Sequence, residues 1–405
     1  GRDALGVLTT LKLDPDAALE AAARIVAART EHAVQGAYLA DEVFEHWRDR
    51  DGAVAAVLAE FLATAPEITY PSVRLRRLAR CASRIGDPDP DLATAVRPWA
   101  DHNDGKVASA AICALARLHD HGCLELAGRA VAQRKLRGPD LNAVCEIYGE
   151  QAAMLLPHLR EQLIGQSAEP RRPGENDPVS DLVQALPLLG AEALAAVPDL
   201  LGLLEAGRTV RPALGALTRF GAAALAAYGS RDIAAVIEAA FAAAESDYDR
   251  VPAAVALRTV AGDDSLARRL AAEMAARPQW GSHTVAHLAR LGPAAAACAP
   301  RIAKGLGSAD AWTAVRAADA YWKITGETDP CAGVLARHVS AEPAGQAAIA
   351  TLLAMSRLPG QCLQMVRHLA YAPHRLAHDG IQNGAAHADD VMRDNARALL
   401  RLQGR

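Results

Sequence analysis

The chain has 405 residues, 51% hydrophobic but only 4% aromatic, and about 93 of them are Ala. Lys and Arg number 43 against 47 Asp and Glu, a formal net charge of -4. The apolar content excludes intrinsic disorder, 30 Gly and 22 Pro exclude a long coiled coil, and the balanced charge disfavours a dedicated nucleic-acid binder. A core of Ala and Leu with few rings suits helices packed closely on helices.

Amphipathic runs follow one another along the chain, and many close on an apolar residue followed by Gly. Such stops stand at Ile85-Gly86, Tyr148-Gly149, Leu189-Gly190, Phe220-Gly221, Ala261-Gly262, Leu291-Gly292, Thr325-Gly326, Pro359-Gly360 and Gln403-Gly404. Gly just past the last apolar residue is the expected helix stop, because it accepts a positive φ there. Leu118-His119 supplies the stop missing between Gly86 and Gly149. The spacing predicts about eleven helical pairs, at 14–48, 51–86, 87–121, 122–148, 149–190, 191–220, 221–262, 263–292, 293–326, 327–358 and 359–404. Pro and Gly in the stretch 165–177 predict an exposed loop, and the period breaks down in a less regular segment at 372–405.

Pro157, Pro198 and Pro300 each lie eight positions after a stop glycine, and Gly229 holds that place after Gly221. A breaker there predicts a kink in the first helix of the pair. The second helices carry their own pattern. Val210-Arg211, Ala213, Leu217 and Phe220-Gly221 match Val315-Arg316, Ala318, Trp322 and Thr325-Gly326 position for position, with Leu217 and Trp322 expected in the core.

The breaker in the first helix, the spacing from Asp310 to Val315-Arg316 and the closing Ala-Leu-Gly pattern resemble HEAT repeats, especially the short bacterial type found in phycobilin lyases. The resemblance spans roughly Pro15 to Leu402 and implies an all-α, right-handed α-solenoid forming one repeat array over 1–405. Within that family the di-iron hydroxylases use His-Glu pairs as metal ligands. No His of this chain precedes a Glu, so no cofactor or metal is expected.

Seven cysteines are spread singly with no C-x-x-C spacing, which fits a reducing, cytoplasmic compartment. No uninterrupted apolar run reaches about 18 residues, so no membrane span is expected. The chain begins at Gly1 and not at Met, as a fragment or trimmed chain would, which leaves an upstream leader open.

Phosphate loops, nucleophile elbows and H-E-x-x-H are missing. Two histidine pairs, His283/His287 and His374/His378, have the i,i+4 spacing that puts both rings on one helix face. The first reads as two surface histidines with no acidic residue on the adjacent helix. The second has Asp379, His387, Asp389 and Asp390 nearby. Arg76, Arg77, Arg80 and Arg84 form a basic stripe, read either as a seat for phosphates or an acidic partner or as a solvated face. Trp312, Arg316, Asp319 and Lys323 form a second stripe. Trp312 beside Arg316 is the pairing enriched at interface hot spots; alternatively Trp312 packs on the next repeat and Arg316 joins Asp310.

These features favour a non-enzymatic scaffold that binds a protein or peptide, an acidic one by preference, along concave second helices. HEAT-like nucleic-acid binding or DNA repair, and a metal-dependent enzyme built on the C-terminal histidines, are the alternatives.

Overall fold

The structure, a computed structural model, describes residues 14–29, 32–47, 50–64, 82, 89–167, 178–228, 230–280, 283–372, 374–377 and 388–403. Among these residues every regular element is a helix, and the one extended feature is an isolated antiparallel bridge between Trp47 and His374. The chain has the make-up of a helical-repeat protein, with helices packed on their neighbours in the chain. Its contacts divide it into two compact units, Gly1–Ala191 with Pro373–Ala388, and Glu192–Ala372 with Asp389–Arg405.

In the first unit Gly105–Arg117 packs on Gly138–Tyr148, which packs on Pro178–Ala185. Small side chains make this layering possible. All ten residues from Val107 to Ala116 are buried, so this helix is covered on every side and not along one stripe alone. At the start of the unit Gly36 lets Ala33–His46 lie directly on Pro15–Ala27; a Cβ there would come within 2.7 Å of the Ala22 carbonyl oxygen.

In the second unit Val210–Phe220, Asp247–Ala261, Thr284–Leu291, Ala311–Thr325 and Pro343–Ala354 lie side by side, each on the next. They form one layer of second helices. Val197–Glu205, Ser230–Ala243, Ser265–Ala276, Ala299–Ala303, Asp329–His338 and Leu363–Tyr371 are the first helices of their pairs.

The expected kinks take another form. Gly149–Leu155, Leu186–Ala196 and Gly292–Cys298 are 3-10 helices, and α-helices begin after them at Leu156, Val197 and Ala299. Pro157, Pro198 and Pro300 are therefore second residues of α-helices, where an amide hydrogen has no intrahelical acceptor to lose. The proline starts a helix here and does not bend one. The preceding glycines explain why the 3-10 segment follows without a loop. Gly292 sits at φ 57° and ψ -140°, a conformation that reverses the chain in one step and is closed to residues with a Cβ.

His119 takes the stop conformation with φ 52°, as its place in the period predicts. Gly360 does not; the helix Pro343–Ala354 stops at Ser356, φ 52°, and Gly360 opens the 3-10 turn Gly360–Cys362. Gly86, Gly229 and Gly404 lie outside the described residues. Of the expected loop at 165–177, residues 165–167 complete the helix Leu156–Ser167 and the rest lies outside the described residues. The expected irregularity at 372–405 is too broad, because Ala388–Gln403 is a regular 16-residue helix.

One helical run, Val179–Glu205, is long and apolar enough to cross a membrane by length and composition, which corrects the expectation from uninterrupted runs. It is not one straight rod, since Gly190 breaks it at φ 75° and ψ -153°. Val183, Leu186, Leu189, Val197 and Leu200 along it are buried within the protein.

Candidate partner-binding surface

Ala311–Thr325 begins where Asp310 caps it, accepting from the Thr313 amide at 2.8 Å and the Thr313 hydroxyl at 2.6 Å. These bonds hold the Asp310 carboxyl below its usual range. Asp310 is therefore a helix cap; Arg316 adds to the lowering through its charge, without a salt bridge between the two. Trp312, on the first turn, is 41% exposed, and Arg316 one turn on lies over its ring, 4.9 Å from the centroid. Trp312 is thus partly open to solvent, with Arg316 on its face.

The other half of the stripe is paired. Asp319 pairs with Lys323 at 2.8 Å and stands 3.5 Å from the Thr351 hydroxyl of the neighbouring second helix. Stripe geometry placed four residues on one face: Asp319 is half-buried and bonded, Lys323 is paired but exposed, and Trp312 and Arg316 are exposed. Trp322 is half-buried, whereas its repeat counterpart Leu217 is fully buried, so the shared register does not carry the same burial.

Two helices before Ala311–Thr325, Tyr248 stands on the first turn of Asp247–Ala261, 45% exposed. It meets His283 at 5.4 Å and His287 at 4.9 Å between ring centroids, both edge-on. His283 is exposed, but His287 is only 7% exposed and its buried Nδ1 has no hydrogen-bond partner. The reading of both as surface histidines holds for the first alone. Burial lowers the His287 pKa, and Asp247, on the adjacent helix, acts in the opposite direction. That carboxylate is paired with Arg277 (3.0 Å from Oδ1 to Nη2), which holds its own pKa low. The exposed rings Tyr248, His283 and Trp312 thus mark the leading ends of three successive second helices. Sequence reasoning missed Tyr248, although its distance from Gly262 equals that of Trp312 from Gly326, fourteen residues in each case.

His374 is exposed and belongs to the bridge with Trp47, while His378 and His387 lie outside the described residues. Asp389 is buried in an ion pair with Arg393, whose Nη1 also donates to the Ala372 carbonyl at 2.6 Å. Among the described residues no group of three or more His, Cys, Asp or Glu could hold a metal ion. Burial pushes the Cys123 and Cys145 thiols up to about 12, far from thiolate chemistry at neutral pH. Arg76, Arg77, Arg80 and Arg84 lie outside the described residues.

No protein-family profile and no curated protein matches this chain. Among solved structures, Kap121p is similar with a TM-score of 0.46 and 10% identity over 96% of this chain. The chain spans about half of that protein, 55% of its length. An engineered protein of the Northeast Structural Genomics Consortium is similar with a TM-score of 0.34 and 12% identity, covering 88% of this chain and 96% of its own.

Proposed function

We propose that this chain is a HEAT-type scaffold without chemistry of its own, of about eleven right-handed pairs over 1–405, which binds a protein or peptide partner on its second helices in the cytoplasm. Trp312 and Arg316 are its central contacts, with Asp319 and Lys323 at their border. Arg76, Arg77, Arg80 and Arg84 are a further contact stripe for an acidic partner. The observation that carries the reading is the exposure of Tyr248 and Trp312 at equal places in two repeats. A large ring left in water forfeits about 1.5–3 kcal/mol of burial, and exposed aromatics beside Arg are the residues on which binding energy concentrates.

A photo-crosslinking amino acid at position 312, introduced in the native host, tests this. One dominant protein adduct is expected, absent when the same group is placed at the exposed Arg268 on a first helix. Adducts to nucleic acid, or equal labelling from both positions, would reject the scaffold reading.

A further inference from the structure

Arg316 is held unlike the arginines around it. Arg211 pairs with Asp249 at 2.9 Å, Arg250 with Glu273 at 2.7 Å, and Arg277 with Asp247. Arg258 donates to the carbonyls of Leu291 and, at 3.1 Å, Arg290. Arg316 lies instead on an exposed ring and forms no salt bridge among the described residues, its charge reaching only the capping Asp310. The acidic groups of its own stripe are engaged, Asp310 with Thr313 and Asp319 with Lys323. The indole N–H of Trp312 likewise has no acceptor among the described residues, whereas Trp99 and Trp280 give theirs to the Leu62 and Met274 carbonyls at 3.2 and 2.9 Å.

A guanidinium stacked on an indole keeps its edge donors available, and those donors match a carboxylate in fork geometry. The pair therefore offers donors and a positive charge. Its complement is an acceptor-only anion, which among side chains means ionised Asp or Glu. Tyr248 provides a second seat of different character, an exposed ring whose helix lies two second helices away. Packed helices are about 8–10 Å apart, so the two seats are about 20 Å apart, the reach of roughly six extended residues.

We propose that the Trp312–Arg316 pair seats an Asp or Glu side chain of an extended partner segment, with an apolar residue of that segment, about six positions away, on Tyr248. This inference rests on the partner-binding reading above and specifies the partner's chemistry.

The test is selection of short random peptides displayed on phage against the full chain, followed by affinity measurement of the winners. Enriched peptides should carry an acidic residue and an apolar one at about that spacing. Arg316→Gln, or an amide in place of the peptide's acid, should weaken binding about tenfold or more, and added salt should weaken it too. The melting temperature of Arg316→Gln should stay within a degree or so of wild type, because the group is exposed. Winners that lack an acid, or that bind Arg316→Gln as well as wild type, overturn the carboxylate seat. A phosphoserine in place of the acid that binds more than tenfold tighter also overturns it, in favour of a phosphopeptide. No enrichment at all overturns it as well; a protein adduct from position 312 would then leave the scaffold reading standing, and no adduct would remove both.

Discussion

Arg375 is inserted into the corner of the first helical pair, 331 residues away in sequence from its partner Phe44. Its Nε donates to the Phe44 carbonyl at 2.8 Å, its Nη2 reaches Asp51 at 3.2 Å, and its guanidinium lies 4.3 Å from the Phe44 ring centroid. The Arg375 amide also donates to the His46 carbonyl at 3.0 Å. A buried cation in this setting is tolerable because it meets a carbonyl, a carboxylate and a π face.

Arg375→Ala should therefore lower stability by about 3–5 kcal/mol, leaving Asp51 and the Phe44 carbonyl without their side-chain donor. Arg375→Lys should not rescue it, since an ammonium cannot serve the carbonyl, the carboxylate and the ring together. Thermal melting measures both. A loss under about 1 kcal/mol for the alanine variant would mean that this corner is open in solution.

Leu217 and Trp322 give a second comparison. Leu217→Ala removes a fully buried side chain and should cost about 2–5 kcal/mol. Trp322→Ala removes a larger but half-buried one and should cost less, about 1–2 kcal/mol. Denaturant unfolding of the two variants checks the order, which is the reverse of what side-chain size suggests.

Two glycines should respond to alanine with opposite signs. Gly292→Ala places a Cβ at φ 57°, 3.2 Å from an Arg258 nitrogen, and should destabilise by about 1–3 kcal/mol. Gly215, inside the helix Val210–Phe220, has nothing within 4 Å of a built Cβ, so Gly215→Ala should stabilise by about 0.5–1 kcal/mol. Paired melting curves are sufficient to decide.

The pH dependence of stability should carry a signature of His287. Its folded pKa is lowered by burial, so the unfolded chain binds the proton first as pH falls. Its contribution is fully present above the ordinary imidazole value of about 6.5 and is lost as pH falls from there toward the lowered folded value. The slope in that window is at most about 1.4 kcal/mol per pH unit. The lowered pKa of Asp247 acts elsewhere, its contribution being lost only below the usual carboxylate range. Unfolding measured between pH 5 and 7 should show the histidine slope in the native chain and a flatter profile in His287→Phe. Identical profiles would mean that the imidazole is solvated.

The all-helical class follows from the chain's own chemistry, from Ala and Leu without rings and from the 3.6-residue spacing of apolar positions. The stops were legible for the same local reason: a positive φ is a property of one residue, and Gly149, Gly221 and His119 adopt it where the period places them. The stripe from Trp312 to Lys323 was legible too, because a helix face is fixed by spacing alone. Which part of it stays open was decided elsewhere. Thr351 comes from the next helix to meet Asp319, whereas Trp312 stays 41% exposed. His287 looked like a surface residue because periodicity describes one helix, and burial depends on Tyr248 arriving from another. The Arg375 corner is the extreme case. No local rule relates residue 375 to Phe44 and Asp51, so only the folded chain could bring a buried cation to the one place where carbonyl, carboxylate and ring satisfy it together.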